Sequence, residues 1–337
     1  MTITLPPMLG RSRELVEPAL RDAVGRLDPA SAQVAAYHFG WQDLDGQPTT
    51  AGGKAVRPAL ALLSAQAAGA ATELGLPGAV AVELVHNFSL LHDDVMDHDL
   101  HRRHRPTVWS VWGISTAILV GDAMLTLAVQ TLADVGGQPA ADAQARLAAT
   151  TQELIRGQVE DLAFEQASRV TVADCLAMAR RKTGVLLGCS AAIGAVLAGA
   201  PANVVDGLTT YGEQLGLAFQ LVDDLLGIWG DPDVTGKPAG SDLRARKKSL
   251  PVAYALSTGT AAADDLAAWL ERPRPDTDAD LALAAGLVEA AGGRDWAAAE
   301  AQRRLTLALA ALDAAPVSAE ANAELRSLAD FVVSREV

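Results

Sequence analysis

The chain has 337 residues, of which 50% are hydrophobic and 20% charged, a composition typical of a folded globular protein and not of a disordered one. Its formal net charge of -14 argues against a nucleic-acid-binding protein, because such proteins need basic surface to contact phosphates. The longest apolar run, 185–200, is short and rich in Gly and Ala, so we expect a buried core helix and no integral membrane segment. A soluble, cytoplasmic protein is predicted.

Helical patterns run along nearly the whole chain. Ala, Leu, Glu, Gln and Arg recur at helical spacing over long segments such as 77–97, 140–165 and 172–199, whereas alternating strand-like runs are almost absent. The sequence therefore predicts an all-α protein, an antiparallel helical bundle. We expect one domain over 1–337, with an N-terminal helical region at 1–45, motifs at 52–251 and supporting helices at 258–337.

The first motif is basic and follows two glycines. Gly53 precedes Lys54 and Arg57, and these two cations are three residues apart and share one face of a predicted helix. Backbone amides at a helix start, together with two cations, can form an anion pocket. An ordinary helix start with surface cations is the alternative.

The second motif is acidic and ends a long apolar helix. Asp93 and Asp97 are four residues apart, so both carboxylates lie on one helix face, and His86 lies two turns back near the same face. Two close carboxylates repel unless a cation separates them, and Mg²⁺ suits that position. The arginines that follow favour a metal-plus-anion site over a solvated acidic helix end; they are Arg102, Arg103 and Arg105.

Two further segments place polar groups in helical sequence. The stretch 157–162 puts polar side chains inside a helix, and a satisfied set of inter-helix hydrogen bonds is the preferred interpretation. Lys182 and Thr183 open an apolar helix, where the lysine is either a surface residue that extends to solvent or a phosphate contact.

The second acidic motif repeats the arrangement of acids followed by bases. Asp223 and Asp224 follow Gln220 on one side of a predicted helix, and the position four residues after Asp223 is Gly227. Lysines follow on a Gly/Pro-rich loop and the next helix start: Lys237, Lys247 and Lys248. A helix end beside a solvated basic loop is the alternative, but two such segments in one chain favour metal-assisted anion chemistry.

Taken in order, these segments resemble the trans-isoprenyl diphosphate synthases, the polyprenyl synthetase family that includes farnesyl and geranylgeranyl diphosphate synthases. The motifs GGKxxRP, DDxxD followed by RR, GQxxD, KT, FQxxDD and GKxxGxD occur in the family's order from residue 52 onwards. The resemblance implies a helical bundle of the isoprenoid synthase type around a central cavity, a homodimer, and three Mg²⁺ ions per site. It also implies head-to-tail condensation of isopentenyl diphosphate with an allylic diphosphate such as dimethylallyl, geranyl or farnesyl diphosphate.

The resemblance also assigns roles to residues. Asp93, Asp97 and Asp223 correspond to direct magnesium ligands, supported by Asp94 and Asp224. The allylic diphosphate site comprises Arg102, Lys182, Thr183, Gln220, Lys237 and Lys247, and the catalytic set comprises the five aspartates with Lys182 and Lys237. The isopentenyl diphosphate site comprises Gly53, Lys54, Arg57, His86 and Arg103.

Product length is assigned by the resemblance to Phe88 and Ser89, just before the first acidic motif. One aromatic residue with a small neighbour indicates geranylgeranyl diphosphate (C20), with farnesyl diphosphate (C15) as the alternative. The chain departs from the family pattern at Ala55, His104 and Gly227, where Arg, Gly and Asp are frequent. The missing carboxylate at Gly227 is expected to weaken the surroundings of the third metal without abolishing activity.

Two other functions share some of these features. A class I terpene cyclase also carries DDxxD in a helical bundle, but it lacks the Lys54/Arg57 pocket and has an Asn/Ser/Glu metal triad that this chain does not show. A non-catalytic subunit of a heteromeric synthase is favoured only by Gly227.

Overall fold

Helices form nearly all of the regular structure in the computed structural model, which describes residues 6–49, 53, 55–167, 169–231, 240–272 and 277–333. Sixteen α-helices lie within those ranges, and the two strands described there have two residues each. The predicted all-α class is confirmed.

The helices of the first half are α1 (Pro7–Val24), α2 (Pro29–Phe39), α3 (Val56–Ala67), α4 (Leu76–Met96), α5 (Val108–Trp112), α6 (Ile114–Ala133) and α7 (Gly137–Gln166). A 3₁₀ turn, Thr72–Gly75, precedes α4, and the strands β1 (His101–Arg102) and β2 (Arg105–Pro106) follow it.

The helices of the second half are α8 (Val172–Ala179), α9 (Val185–Leu197), α10 (Ala202–Trp229), α11 (Ser241–Arg244), α12 (Leu250–Ser257), α13 (Ala261–Leu270), α14 (Asp278–Ala290), α15 (Gly293–Ala314) and α16 (Ala319–Val333). A short π-helix, Arg180–Gly184, joins α8 to α9.

Local capping signals fix several helix ends, and α2 shows how. The Asp28 side chain accepts hydrogen bonds from the backbone N–H groups of Ala30 and Ser31, 3.1 Å each, and Pro29 begins the helix with a favourable φ. Gly40 ends it in the left-handed region at φ 77°. These residues define the helix locally, before any tertiary contact.

The chain forms two compact units. The first contains residues 1–151, 186–209 and 312–328, and the second contains residues 152–185, 210–311 and 329–337. The single-domain organisation expected from the sequence stays a prediction.

In the first unit, α4 and α9 are core helices. Leu84 and Leu91 of α4 are fully buried, as is Ile193 of α9. A Cβ on Gly194 would lie 2.1 Å from the backbone oxygen of Ala61, so the backbones of α9 and α3 touch where only glycine fits. The run 185–200 is thus a buried helix, as predicted.

Two segments in the described part of the chain are apolar and long enough to pass a simple test for membrane spans, which core helices of soluble proteins also pass. The most apolar window of Thr72–Met96 is 61% buried, as expected of a core helix. That of Ile114–Ala133 is only 39% buried, so much of the apolar surface of α6 lies outside the core of this chain.

In the second unit, two hydrophobic clusters hold the C-terminal half of α10. Leu221 and Leu225 of α10 pack in the first, with Ala253 of α12 and Ala297 of α15. The second surrounds Trp269, which is almost completely buried. These contacts fix the helix that carries the second acidic motif.

Candidate active site

The first acidic motif lies at the C-terminal end of α4. Asp94 is buried, with 2% of its side chain exposed, whereas Asp93 is half-buried and Asp97 is exposed. The N–H of Asp97 donates to the backbone oxygen of Asp93 at 2.8 Å, so helical geometry extends across the motif. Asp93 and Asp97 are therefore one turn apart on the more open side of the helix, and Asp94 points inward.

The buried Asp94 has an internal cation. The Nε atom of Arg102 donates to Asp94 Oδ1 at 2.7 Å, and an Nη nitrogen of the same guanidinium lies 2.7 Å from that oxygen. Burial raises the pKa of the Asp94 carboxyl to about 6 in spite of this partner. Arg102, predicted to bind diphosphate, thus contacts the inward carboxylate of the motif, while Asp94 Oδ2 is buried without a hydrogen-bond partner.

A short hairpin presents the arginines. Arg102 pairs with Arg105 across β1 and β2, and the two residues between them, Arg103 and His104, have φ values of 51° and 61°. A two-residue turn with both φ positive matches the twist of an antiparallel pair, and glycine adopts it most easily. The requirement for positive φ is a physical reason for a glycine at position 104, where this chain has histidine.

Arg105 has a structural role. Its guanidinium donates to the backbone oxygens of Tyr37 at 2.9 Å and Gln42 at 2.8 Å, and it lies 4.0 Å from the centre of the Tyr37 ring. Arg105 therefore ties the hairpin to α2 and the loop after it.

Most of the predicted isopentenyl diphosphate residues come together in the first unit. An Nη nitrogen of Arg57 donates to Nε2 of His86 at 3.3 Å, so His86 is the acceptor. Burial, followed by the charges of Arg57 and Arg103, lowers the pKa of His86 well below its usual value. A Cβ on Gly53 would lie 2.9 Å from the Arg103 guanidinium, so glycine allows that close approach. Lys54 lies outside the described residues.

Because His86 is neutral, it neither adds to nor offsets the positive charge of the two arginines beside it. The two guanidinium groups, Arg57 and Arg103, keep their charges, and the imidazole supplies an acceptor without adding a competing anion. Sequence reasoning missed Arg13 of α1, whose guanidinium donates to the backbone oxygen of Gly53 at 2.8 Å. The arrangement is suited to binding an anion.

The second acidic motif repeats the division seen in the first. Asp223 is exposed and Asp224 is buried. Asp224 accepts hydrogen bonds from the Gln220 amide at 2.8 Å and from the backbone N–H of Leu250 at 2.9 Å. Burial raises the pKa of Asp224 to about 6, against the attraction of Lys247.

The π-helix Arg180–Gly184 connects two more predicted residues to this motif. The Thr183 hydroxyl donates to the Gln220 side-chain oxygen at 2.7 Å, which fixes the orientation of the amide that Gln220 offers to Asp224. Lys182 Nζ lies 2.6 Å from Asp161 Oδ2. π-Helices are rare overall, and those that do occur are often found at functional sites. The wide turn at this position therefore favours a functional role for the residues it carries.

Glycine brings α7 against the π-helix. A Cβ on Gly157 would lie 2.5 Å from the backbone nitrogen of Lys182, so the two backbones are in direct contact. One turn later, Asp161 forms its ion pair with Lys182, as the interpretation of 157–162 as an inter-helix set requires. For Gln158 that interpretation is wrong: both amide atoms are buried without a partner. The sequence signal for Gln158 and Asp161 was an amide and a carboxylate three residues apart in an apolar helix.

Lys247 is the internal counter-ion of the second motif. Its pKa is raised because the attraction of nearby carboxylates outweighs the effect of burial. In decreasing order the carboxylates are Asp242, Asp224, Asp161 and Asp223. Lys247, predicted as an allylic diphosphate residue, therefore neutralises the acidic group around it. Lys237 lies outside the described residues.

The donor set suits magnesium. Within the described ranges no three His, Cys, Asp or Glu groups are close enough to form a ready-made cage. Mg²⁺ is commonly held by one or two carboxylates with water and substrate phosphates completing its shell, so the outward carboxylates Asp93, Asp97 and Asp223 provide the kind of ligand it needs.

Comparison with known proteins gives one consistent result. The family model described as polyprenyl synthetase matches residues 46–286. A (2E,6E)-farnesyl diphosphate synthase of Mycobacterium tuberculosis is 49% identical over 340 residues, covering 100% of this chain and 95% of its own. A geranylgeranyl diphosphate synthase of the same species is 45% identical over 332 residues, covering 98% and 93%.

Two solved structures agree with these relatives. A polyprenyl synthetase from Streptomyces coelicolor superposes with a TM-score of 0.94 at 53% identity, covering 98% of this chain and 100% of that one. A geranylgeranyl pyrophosphate synthase from Corynebacterium glutamicum, complexed with isoprenyl diphosphate and magnesium, superposes with a TM-score of 0.85 at 27% identity, covering 99% and 100%.

The internal counter-ion leads to a stability prediction. Lys247→Met removes a cation and leaves Asp224 and Asp242 uncompensated, so we expect a loss of about 3 kcal/mol in the free energy of unfolding at neutral pH. The folded-state pKa of Asp224, about 6, lies above the usual aspartate value of 3.8, and it rises further without the attraction of Lys247. Protonation therefore relieves the loss as the pH falls through that folded-state value.

Urea unfolding at about pH 8 and about pH 5.5 measures this effect. Lys248→Met is the matched control, because Lys248 Nζ donates to the backbone oxygen of Phe164 at 2.8 Å. If Lys247→Met loses the same free energy of unfolding at both pH values, as the control is expected to do, the assignment of Lys247 as counter-ion is contradicted.

Proposed function

Because the chain belongs to the polyprenyl synthetase family and is thus a prenyltransferase, we propose that it catalyses the Mg²⁺-dependent head-to-tail condensation of isopentenyl diphosphate with an allylic diphosphate. Dimethylallyl, geranyl and farnesyl diphosphate are the expected allylic substrates. The observation that carries this proposal is the repeated division of each aspartate pair into an outward carboxylate and an inward one that is held by the protein.

The aspartates divide accordingly between two roles. Asp93, Asp97 and Asp223 are the proposed direct ligands of up to three magnesium ions. Asp94 and Asp224 support them from the interior, which their hydrogen bonds to Arg102, Gln220 and Leu250 favour. Magnesium bound there would neutralise the diphosphate charge that develops when the allylic C–O bond breaks.

The cations are assigned to two diphosphates. Gly53, Arg57, His86 and Arg103 lie together and are proposed, with Lys54, to hold isopentenyl diphosphate. Arg102, Lys182, Thr183, Gln220, Lys237 and Lys247 are proposed for the allylic diphosphate. Arg102 has further N–H groups beside those that face Asp94, and Lys182 has three donors, so each can serve a carboxylate and a phosphate together.

The chain's own residues then act on charge and water. The C–O bond of the allylic diphosphate breaks and releases diphosphate, and the double bond of isopentenyl diphosphate attacks the allylic carbon. The resulting cation then passes one proton to the released diphosphate and forms the new double bond. Arginine and lysine groups stabilise the departing diphosphate, an interaction concentrated in the transition state. Buried apolar residues before the first motif, such as Leu84 and Leu91, exclude water that would otherwise trap the allylic cation.

Purified protein incubated with labelled isopentenyl diphosphate, Mg²⁺ and each allylic substrate tests the function. We expect chain elongation that a chelator abolishes, and a fall in kcat on the order of 100-fold for Asp223→Asn. Asp265→Asn, an exposed aspartate of α13, is the control and should keep wild-type activity. If none of the allylic substrates is elongated, the result favours a non-catalytic subunit. A cyclised terpene as product would favour a cyclase.

For the product we propose geranylgeranyl diphosphate. Farnesyl diphosphate is kept as the alternative, because a farnesyl diphosphate synthase and a geranylgeranyl diphosphate synthase are nearly equally similar to this chain. Phe88 is buried, and its ring packs edge-on to His92 at 5.3 Å between centroids. Ser89 is small and turns its hydroxyl to the backbone oxygen of His86 at 2.8 Å. A large ring beside a small residue is consistent with a block of intermediate depth.

Replacing that ring tests the assignment. Phe88→Ala removes most of the bulk, so we expect longer products, with chains of C25 or more, and Phe88→Leu should give an intermediate distribution. Chromatography of the dephosphorylated products measures the lengths. An unchanged distribution in a folded Phe88→Ala protein contradicts the role, and a wild-type product of C15 supports the farnesyl alternative.

A homodimer is the proposed assembly, and we expect it in the cytoplasm. Large apolar side chains lie exposed along α5 and α6: Val111, Ile114, Ile118 and Leu119. The most exposed is Leu119, at 65%. Several large exposed apolar side chains on two successive helices favour an interaction site, and a second copy of the chain is the partner that the family resemblance implies.

A charge on that surface should prevent association. Leu119→Glu is expected to halve the mass measured by light scattering, because burying its carboxylate in an apolar interface is unfavourable. Leu74→Glu is the control, since Leu74 is 50% exposed outside α5 and α6. A mass unchanged by Leu119→Glu would exclude this surface as the interface.

A further inference from the structure

One oxygen of the inward aspartate in the first motif lacks a partner among the described residues. Asp94 Oδ1 accepts from two guanidinium nitrogens of Arg102, each at 2.7 Å, but Oδ2 is buried without a hydrogen bond. In the second motif both oxygens of Asp224 are satisfied, by the Gln220 amide and by the backbone N–H of Leu250. Because buried polar atoms almost always have a partner, ordered water included, Asp94 Oδ2 points to a group that completes the first motif.

Asp94 lines a small cavity that it shares with the end of α2. The cavity has a volume of about 20 Å³, and residues of α2, α4 and the hairpin of β1 and β2 line it. His38, in the last turn of α2, is one of them. Nε2 of His38 is buried without a hydrogen-bond partner in the described part of the chain. Two unpartnered polar atoms therefore belong to side chains that line one cavity.

The His38 ring is neutral. Burial, followed by the charges of Arg103, Arg102 and Arg105, lowers the pKa of His38 to about 3, and the nearby Asn87 amide acts more weakly in the opposite direction. A neutral imidazole has one N–H donor and one acceptor nitrogen. The ring therefore adds no charge beside the arginines, and Nε2 is available for one hydrogen bond.

The end of α2 is fixed against the hairpin. The Tyr37 hydroxyl donates to the backbone oxygen of Pro106 at 2.8 Å, and the backbone oxygen of Tyr37 accepts from Arg105 at 2.9 Å. His38 is the next residue, so these two contacts also hold its ring beside the hairpin. Its position at the cavity is thus set by the fold.

We infer that His38 is a positioning residue for the first acidic motif, joined to Asp94 Oδ2 through one water molecule in the cavity that the two side chains share. A water needs about 10–15 Å³ and at least two polar partners, and the cavity provides both. Water can donate to the carboxylate and either donate to or accept from the imidazole, so the bridge forms with either ring tautomer.

The bridge gives Asp94 what the protein itself gives Asp224, a hydrogen bond on each carboxylate oxygen. Asp94 lies between Asp93 and Asp97 at the end of α4, so a fixed Asp94 also fixes the part of the helix that presents the two outward carboxylates. The inference rests on the proposed function, because it makes His38 an indirect support of the magnesium ligands.

A high-resolution crystal structure tests the bridge without substrate or turnover. We expect one ordered water within about 2.7–3.2 Å of both Asp94 Oδ2 and His38 Nε2. Direct contact between the two side chains, or the absence of density between them, overturns the inference.

Two amide variants separate Nε2 from the rest of the ring. The amide of His38→Gln reaches the place of Nε2, whereas the shorter side chain of His38→Asn reaches only the place of Nδ1. Calorimetry with inorganic diphosphate measures Mg²⁺ affinity. We expect His38→Gln to stay within about threefold of wild type and His38→Asn to bind about tenfold more weakly, as for other groups that orient metal ligands.

Turnover supplies a readout that a general structural defect would not reproduce. In His38→Asn we expect a higher Mg²⁺ concentration at half-maximal rate and an unchanged KM for isopentenyl diphosphate, whereas a loosened fold would raise both. Equal Mg²⁺ affinity in His38→Asn and His38→Gln overturns the inference. Wild-type protein that binds no Mg²⁺ with diphosphate would instead overturn the proposed function, and the crystal structure would still decide whether the water bridge exists.

Discussion

Adjacent aspartates on a helix cannot point the same way. Successive side chains are about 100° apart, so a pair at the edge of a core sends one carboxylate outward and one inward. The inward one loses water and must be compensated, because an unpaired buried charge costs several kcal/mol. In both acidic motifs this constraint selects the neighbours: Arg102 for Asp94, and Gln220, Leu250 and Lys247 for Asp224.

Compensation of the inward aspartates shapes the rest of each motif. Arg102 is presented by a hairpin that Arg105 ties to Tyr37. Gln220 is oriented by Thr183, which the π-helix places within 2.7 Å. Backbone contact at Gly157 in turn sets the position of Lys182. Each motif is thus a rigid support for an outward carboxylate, and rigid support is what metal ligands need.

The sequence was informative where local rules decide the structure. Helical periodicity predicted the bundle helices, and the spacing of Asp93 and Asp97 predicted their shared face. It was uninformative where the outcome depends on tertiary contact. The widened turn at Arg180–Gly184, the ion pair of Asp161 and the unpartnered amide of Gln158 have no signature in periodicity. Basic residues were also interpreted too simply: Arg102 and Lys247 were predicted as diphosphate contacts, yet each also neutralises a buried carboxylate.

The overall charge of -14 sets the final constraint, since it opposes the approach of any diphosphate. Fields from exposed charges are screened within about 8 Å in physiological salt, whereas charges in a partly desolvated group are screened much less over a few ångströms. Arg57 and Arg103, with the neutral His86 in contact with Arg57, form such a group. Under the proposed function, recognition of the anion comes from short-range contacts of these arginines and from magnesium on the outward aspartates. We therefore expect diphosphate binding by this acidic chain to depend on the metal more than that of a basic chain would.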